Sequence, residues 1–549
     1  MKTNERFAVC RIAFVLLVAV VLVFLPGCGK EETSSKEEQW RDPPPEAALF
    51  DDLTLTTPYK GYNDGNPLFT QNFGADPFAI VYEDCVYIYM TGDTPVPNSS
   101  GEIPQNTYDN INTIRIVSSY DLVNWTEYPA IRAAGSQGAA TWAGRSWAPA
   151  AAYRNKDGED QFFLYFANGA SGIGVLKANS PIGPFTDPIK KALINSSTPT
   201  CSDVVWLFDP AVFIDDDGTT YIYFGGGTPS GGTEGIYPNA NSKHPMPGTI
   251  RAAKLGADMI SLNGNPVTLP APFSFEDNGC FKKDNTYYYT YCTNRGVDGY
   301  ASAAAASEPS HADAVKIGKG MSIAYMTSDK PLEGFSLRNM ILSNPGEMFN
   351  IKSGNNHHAI FEFKGKYYIT YHSRLLAAAM GLDDEGKESV KGEGYRITHV
   401  DEVTIKSDGT IQQVNGTRKG PAQVGRFNPF TLTSAATIGT QAGISTAAVT
   451  GEQRMKVTEI NSGDWIALRG VDFGSGAKKF FCRVTPASNK SVIQIKQDGI
   501  DGRAIGYAII EPGESEITVE LLRTVTGVHD LVFVFYGEGY DFEQWKFIN

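Results

Sequence analysis

"FDPAVFIDDDGTTYIYFGGG" (208–227) is the stretch whose reading decides the fold. It opens on an acid and a proline, passes through a short apolar run to an acidic turn, and returns through aromatics. "TTYIYF" alternates with a period of two, which sends successive side chains to opposite faces of a sheet. Asp-Gly at the turn supplies the backbone freedom that a tight hairpin requires. The same plan recurs in "ADPFAIVYEDCVYIYMTGD" from Ala75, "WAPAAAYRNKDGEDQFFLYFANG" from Trp147, "FEDNGCFKKDNTYYYTYCTN" from Phe275 and "NHHAIFEFKGKYYITYHSR" from Asn356.

The copies stand about 60 to 80 residues apart, and further strand-like runs such as "NTIRIVSSYDLVNWTEY" and "MSIAYMTSDKPLEGF" fill the intervals. Four strands per unit and five units predict an all-β fold, a five-bladed β-propeller spanning 62–415. "ASAAAASEPSHADAV" from Ala301 reads as a helical insertion. In such a fold the innermost strands begin in a common funnel, so the heads of the copies should converge: Asp76, Ala148, Asp209, Glu276 and His357. Three of these are carboxyl groups. One "DP" is an ordinary strand start, but three acids at matching places in a converging repeat point to chemistry.

Composition agrees. There are 30 Phe, 26 Tyr and 56 Gly, which favours strands and turns. A formal charge of -14 argues against nucleic acid as a partner. Lys2, Arg6 and Arg11 precede an apolar run, 12–25, too short for a comfortable membrane span. Residues 1–28 thus read as a signal peptide. The run ends in "LPGC" (25–28), which resembles a bacterial lipobox with Cys28 as the lipidated residue. Residues 29–61 follow as a polar, proline-rich tether. The expectation is an extracytoplasmic monomer that meets a bacterial membrane only through its lipid. Cys85, Cys201, Cys280, Cys292 and Cys482 show neither zinc-site spacing nor a disulfide framework, and read as free buried thiols.

With these residues in hand, the chain resembles glycoside hydrolase family 43 over roughly 62–408, and most of all its arabinoxylan arabinofuranohydrolase branch. The likeness rests on the five quoted copies together with "GSQGAATWAGRSWAPA" and "SIAYMTSDKPLEGF". It implies an inverting removal of α-L-arabinofuranosyl side chains from arabinoxylan or arabinan, with plant cell-wall polysaccharide or its oligosaccharides as partner. Asp76 would be the general base, Glu276 the general acid, and Asp209 the carboxylate that orients the acid and raises its pKa. Inversion needs one ionised carboxylate to activate water and one protonated acid for the leaving oxygen. A neighbouring negative charge keeps that acid protonated near neutral pH.

The resemblance also implies substrate hydrogen bonds from Asn355, Asn356 and His357 in "GNNHHAI", and hydroxyl recognition by Arg396 in "GYRITHVDEV". It implies a calcium ion at the channel centre held by a histidine, His358, and waters, and no organic cofactor. Adjacent strand residues point to opposite sides, so only one of His357 and His358 can face the channel. Trp147 and Phe73 lie beside the funnel motifs and could form sugar-stacking walls. A β-xylosidase or endo-arabinanase would share this chemistry. A retaining fructan enzyme would carry "RDP" where this chain has "FDP" at Phe208. A non-catalytic glycan-binding lipoprotein would be favoured by loss of an acid, and none is lost.

"KGPAQVGRFNPF" reads as a linker, and 428–549 as a β-sandwich of jelly-roll type. "NSGDWIALRGVDFGSGAKKF" and "VTGVHDLVFVFYG" resemble a family 6 carbohydrate-binding module. Where such modules carry an acidic first strand, this chain has Ser434-Ala435-Ala436. The ring-stacking aromatics are replaced near Lys456 and Thr518, and Asp541 stands at the terminal asparagine position. The sandwich is therefore expected to pack on the propeller rather than to grip sugar in the usual cleft.

Overall fold

A computed structural model describes residues 40–229, 246–301, 309–352, 354–382 and 394–549. The leader at 1–28, with Cys28, lies outside the described residues.

Five antiparallel sheets follow one another along the chain. The first comprises β1 (Ala75–Tyr82), β2 (Cys85–Thr91), β3 (Thr113–Ser119) and β4 (Trp125–Arg132). The second comprises β5 (Trp147–Lys156), β6 (Glu159–Ala167), β7 (Gly172–Ala178) and β8 (Ile194–Asn195). The third holds β9 (Ala211–Ile214), β10 (Thr220–Gly225), β11 (Ile250–Lys254) and β12 (Val267–Thr268). The fourth holds β13 (Ser274–Lys283), β14 (Thr286–Thr293), β15 (Ile323–Ser328) and β16 (Ser336–Leu342). The fifth has three described strands rather than the expected four: β17 (His358–Phe363), β18 (Lys366–Ser373) and β19 (Ile397–Val403). Each quoted repeat is the hairpin that begins one sheet. The insertion expected from Ala301 is helical over 309–315, within α2 (Pro309–Ile317), and follows α1 (Val297–Ala301); 302–308 lie outside the described residues.

The first strands contact one another in turn, β1 with β5, β5 with β9, β9 with β13, β13 with β17, and β17 with β1, so the five sheets close into a ring. Their side-chain period fills the spaces between them. On β14, Tyr287, Tyr289 and Tyr291 enter the cluster shared with Tyr221 and Tyr223 of β10, whereas Tyr288 enters the one shared with Ile369 and Tyr371 of β18. On β10, Ile222 and Phe224 turn the other way, onto Phe163 and Tyr165 of β6. Every second strand is thus apolar on both faces, which is why these runs read as aromatic without interruption. Each such side chain contributes about 1.5–3 kcal/mol by leaving water.

Beyond residue 428 two sheets share one core. One runs in the order β23 (Ser445–Ala448), β24 (Met455–Thr458), β31 (Phe542–Ile548), β26 (Ala477–Val484), β29 (Glu516–Val525), with β20 (Thr433–Ser434) on β31. The other runs β22 (Thr440–Ala442), β25 (Trp465–Asp472), β30 (Val528–Tyr536), β27 (Ser491–Gln497), β28 (Ala504–Ile510). Ile466, Leu468 and Phe533 from one meet Phe480, Phe542 and Trp545 from the other.

Residues 40–61 are not a free tether. Trp465, Ala467, Val532 and Val534 form an apolar patch on β25 and β30, and Phe50, Leu53, Leu55 and Tyr62 cover it. Trp465 Nε1 donates to the Thr56 carbonyl at 2.9 Å, and the Trp40 ring lies under Arg503 and Arg523. These apolar residues have no helical or strand period, so only the patch they cover reveals their role.

The sandwich also completes the first sheet of the ring. Strand β21 (Thr437–Ile438) pairs with the edge strand β4. Beside it Glu127, only 3% exposed, accepts from Asn72 Nδ2 at 2.7 Å, Thr446 Oγ1 at 2.7 Å and Gln71 Nε2 at 3.1 Å, with Arg115 Nη1 at 3.5 Å. Glu127→Ala would take the shared buried acceptor from these part-buried donors, leaving Asn72 with Thr446 and Arg115 with Thr94. Removing one partner of a buried charged network costs about 3–5 kcal/mol, so a drop in Tm of several degrees is expected by thermal scanning at a fixed scan rate. A change within about 0.5 kcal/mol, the range of an ordinary surface substitution, would show that this junction does not hold the two parts together.

Candidate active site

The heads of the first strands share an unusual backbone. Asp76 (φ 49°), Ala148 (φ 40°), Asp209 (φ 47°) and Asp277 (φ 66°) all lie in the left-handed region that favours glycine. Non-glycine residues there cost about 1–3 kcal/mol each. In β1, β5 and β13 the ladder is interrupted at this point: pairing jumps from Ala75 to Phe78, from Trp147 to Ala150 and from Glu276 to Gly279. Such bulges bend a strand and re-aim its side chains. They also free an N–H, which crosses to the preceding sheet. Asp76 N donates to His372 Nδ1 at 3.0 Å, Ala148 N to Thr91 Oγ1 at 2.8 Å, and Asp277 N to Asp209 Oδ2 at 2.9 Å.

This register corrects the repeat as read from sequence. Asp277, not Glu276, stands where Asp76 and Asp209 stand. Glu276 sits one residue earlier, at the position of Trp147 and Phe208. Those earlier positions face a cavity of about 450 Å³ lined by Trp147, Phe208, Glu276, Asp76, Asp209, His357, Asn355 and Arg396. Its remaining wall includes Tyr108, Trp206, Phe275 and Arg374. Trp206 meets Phe208 and Phe275 edge-on, with centroids 5.2 and 5.1 Å away.

Three carboxyl groups meet here in different electrostatic settings. Burial would raise Asp76, but Arg396, His372 and His357 outweigh it and hold the carboxyl far below the usual range. Arg396 Nη1 reaches Asp76 Oδ1 at 2.9 Å, with His372 Nδ1 at 3.1 Å and His357 Nδ1 at 3.6 Å from the same oxygen. His372 Nδ1 also lies 3.0 Å from the Asp76 N–H nitrogen, and its Nε2 lies 3.0 Å from the Asn355 carbonyl. Burial first, then Asp209, Asp76 and Asp277, push Glu276 well above its ordinary value, and its buried Oε1 has no hydrogen-bond partner. Asp209 is pushed up to about 7, mainly by burial. One carboxylate is thus held ionised opposite a carboxylic acid held protonated.

His357 faces the cavity and stands among carboxylates, with Nε2 at 3.2 Å from Asp277 Oδ1 and Nδ1 at 3.9 Å from Asp209 Oδ2. His358 lies behind it: Nδ1 bonds Asp277 Oδ2 at 2.5 Å, and the buried Nε2 has no partner. Gly279 permits this approach, since a Cβ there would stand 3.4 Å from His358 Nε2 and 2.2 Å from Thr290 Oγ1. The calcium expectation, one histidine with waters, is met on the protein side only by His358, whose buried Nε2 has no partner. His358 offers a single nitrogen, Asp277 is spent on both histidines, and no group of three metal-ligating side chains occurs among the described residues. Calcium takes six to eight oxygens, and no step below passes through a metal.

Two expected sugar contacts fall elsewhere. Asn356 is fully buried and gives its Nδ2 to the carbonyls of Met321 and Ser343. Phe73 is a core residue packed on Tyr395 at 5.5 Å. Both lie next to funnel motifs in sequence, but their side chains point into the protein. Arg396 is in the cavity but is largely committed to carboxylates: Nε and Nη2 grip Asp93 at 3.0 and 2.9 Å, and Tyr108 lies under the guanidinium at 4.5 Å. The sequence reading overlooked Asp93 and Asp277. Both sit inside the quoted repeats, but only the fold shows what they face.

In the sandwich, Lys456, at one position that lacks a ring-stacking aromatic, pairs at 2.7 Å with Asp541, at the terminal asparagine position. Trp465, Tyr540 and Trp545 are no more than 2% exposed and offer no sugar platform. The five cysteines among the described residues are free; four are buried as expected, and Cys280 is partly exposed.

Comparison with known proteins agrees with this geometry. The profile of glycosyl hydrolases family 43 matches residues 65–411, and that of carbohydrate binding module family 6 matches 434–549. An arabinoxylan arabinofuranohydrolase of Bacillus subtilis is 41% identical over 90% of this chain and 94% of its own length. One of Paenibacillus polymyxa is 39% identical over 88% and 74%. A crystal structure of a Bacillus subtilis family 43 arabinoxylan arabinofuranohydrolase in complex with cellotetraose superimposes with a TM-score of 0.80 at 40% identity, covering 90% of this chain and 99% of the other. With more than half of its length matched by the profile and its three carboxyl groups gathered in one cavity, the chain belongs to family 43 of the glycosyl hydrolases.

Proposed function

We propose that this glycoside hydrolase removes α-L-arabinofuranosyl side groups from arabinoxylan by an inverting mechanism, and that the closed ring of five sheets is a five-bladed propeller. The observation that carries the reading is the pairing, in one cavity, of an ionised Asp76 with a protonated, unpartnered Glu276. The named activity of two relatives matched along most of the chain supports the substrate.

Asp76 Oδ2 takes a proton from water as that water attacks the anomeric carbon. Glu276 gives its proton to the departing glycosidic oxygen. The C–O bond to the xylan backbone breaks as the bond to water forms, and arabinose leaves with inverted configuration. Trp147, Trp206, Phe208 and Phe275 would bound the sugar with apolar surface. The Lys456–Asp541 ion pair, where an aromatic and an asparagine were expected, favours a packing role, while the family of the sandwich supports carbohydrate binding in the general sense.

Glu276→Gln should lower kcat on arabinoxylan by about 10² to 10⁴-fold, the usual worth of a general acid. It should lower it less on nitrophenyl arabinofuranoside, whose leaving group needs little protonation. Proton NMR of the first-formed sugar should show the inverted anomer. Full turnover of arabinoxylan by this variant would remove Glu276 from its role, and release of xylose alone would favour the β-xylosidase reading.

The pH profile has a definite sign. Glu276 is raised, so activity is present below its folded pKa and is lost as pH rises through it. Asp76 is lowered, so it stays ionised into strongly acidic solution. Asp209 is among the charges raising Glu276. Asp209→Asn should therefore move the alkaline limb of kcat/KM to lower pH, and an unmoved limb would show that Asp209 does not tune the acid.

The lipid anchor is part of the same proposal, resting on the "LPGC" motif. Cys28→Ser should release the protein from the membrane fraction. Unchanged fractionation would make Cys28 a bystander.

A further inference from the structure

The side-chain hydrogen bond to Asp76 from Arg396 and the ion-pair approaches of the two histidines fall on one of its oxygens, Oδ1: Arg396 Nη1 at 2.9 Å, His372 Nδ1 at 3.1 Å and His357 Nδ1 at 3.6 Å. A general base needs a carboxylate oxygen free to receive the proton, so the way Arg396 meets Asp76 matters. An unconstrained guanidinium prefers a two-pronged grip on a carboxylate, engaging both oxygens. Here it makes only one contact to Asp76. Its two-pronged edge is taken by Asp93, with Nε to Oδ2 at 3.0 Å and Nη2 to Oδ1 at 2.9 Å.

Asp93 is fully buried and holds the backbone as well, accepting the Arg396 N–H at 3.0 Å. The Arg396 carbonyl in turn accepts from Gly74 N at 3.0 Å, two residues before Asp76. Tyr108 closes one face of the guanidinium at 4.5 Å. The arginine is thus fixed by an edge, a face and its own backbone. Asp93 itself follows β2, the hairpin partner of the strand that bears Asp76.

We propose that Asp93 is a positioning residue for the general base: by occupying the two-pronged edge of Arg396 it keeps that arginine one-pronged on Asp76, so that Asp76 Oδ2 remains open to the attacking water. Arg396 is then part of the base's setting before it is a sugar contact, and three of its five N–H groups are spent before substrate arrives. The inference rests on the reading of Asp76 as base, so Asp76→Asn is measured in parallel.

In Asp93→Asn the guanidinium loses its charged partner and is drawn onto both oxygens of Asp76. On nitrophenyl arabinofuranoside and on arabinoxylan, kcat should fall about 10- to 100-fold, part of the full worth of a general base, while KM stays within about twofold. A residue that merely supports the fold would lower Tm without this split. The second arm uses Arg396→Lys, whose ammonium cannot make the two-pronged grip. In that background, adding Asp93→Asn should cost less than about threefold, because the competing geometry no longer exists.

A kcat within twofold of wild type in folded Asp93→Asn, or losses that multiply in the double variant, would overturn the proposal. Should Asp93→Asn not fold, Asp93→Glu is measured in both backgrounds. It pushes the carboxylate one methylene into Arg396, and it should lower kcat at constant KM only where residue 396 is arginine. An active Asp76→Asn would instead overturn the assignment of the base itself.

Discussion

A left-handed residue at the head of four of the five first strands is the constraint on which the rest depends. It costs conformational energy, and it is kept because the neighbouring sheets over-determine it. The strand bulges, an N–H is freed, and that N–H is donated to the preceding sheet in three of the four cases. The same distortion does two jobs. It ties three pairs of neighbouring sheets together at the heads of their first strands, and it places residues around it in one cavity. Asn278 adds a further tie between the third and fourth sheets, donating to the carbonyls of Asp209 and Gly225 while accepting from Tyr289.

The chemistry follows from how unequally the cavity treats chemically similar groups. Asp76 and Asp209 occupy equivalent places, share a backbone conformation and are both buried, yet one is held ionised and the other pushed up to about 7. The difference is the company each keeps. Arg396 lies on Asp76, whereas Asp209 has the more distant His357 imidazole and a single backbone N–H. Glu276 has no such partner and is surrounded by negative charge, which keeps its proton on. His357, facing three carboxylates, is held above its usual range despite burial. The cavity therefore holds one carboxyl group ionised and another protonated through the immediate neighbours each one has.

The C-terminal sandwich retains its scaffold while the surface expected to hold sugar is given to an ion pair. Its other surfaces are in use. One patch is roofed by residues 50–62, and one of its short strands extends the first sheet of the ring. Glu127 joins this junction to Gln71 and Asn72, which lie a few residues before Asp76. The sandwich is therefore tied to the segment that leads into β1.

The sequence by itself determined a good deal. Period-two aromatic runs with Asp-Gly and Gly-Lys turns specified five hairpins, because that pattern can bury its side chains only in sheets covered on both faces. The acids at their heads were legible for the same reason: repeats that pack alike bring equivalent positions together. What only the tertiary structure decided is where each side chain points. A one-residue bulge leaves no mark in composition or alternation, so Asp277 and Glu276 exchange places relative to the apparent repeat. Asp93 was invisible as a site residue because its partner, Arg396, is 303 positions away. Asn356 and Phe73 read as sugar contacts because they adjoin the motifs, but adjacent residues on an extended chain face opposite ways. Residues 40–61 read as a tether because their apolar side chains follow no period; the apolar surface of β25 and β30 holds them, and that surface forms only when the sandwich folds.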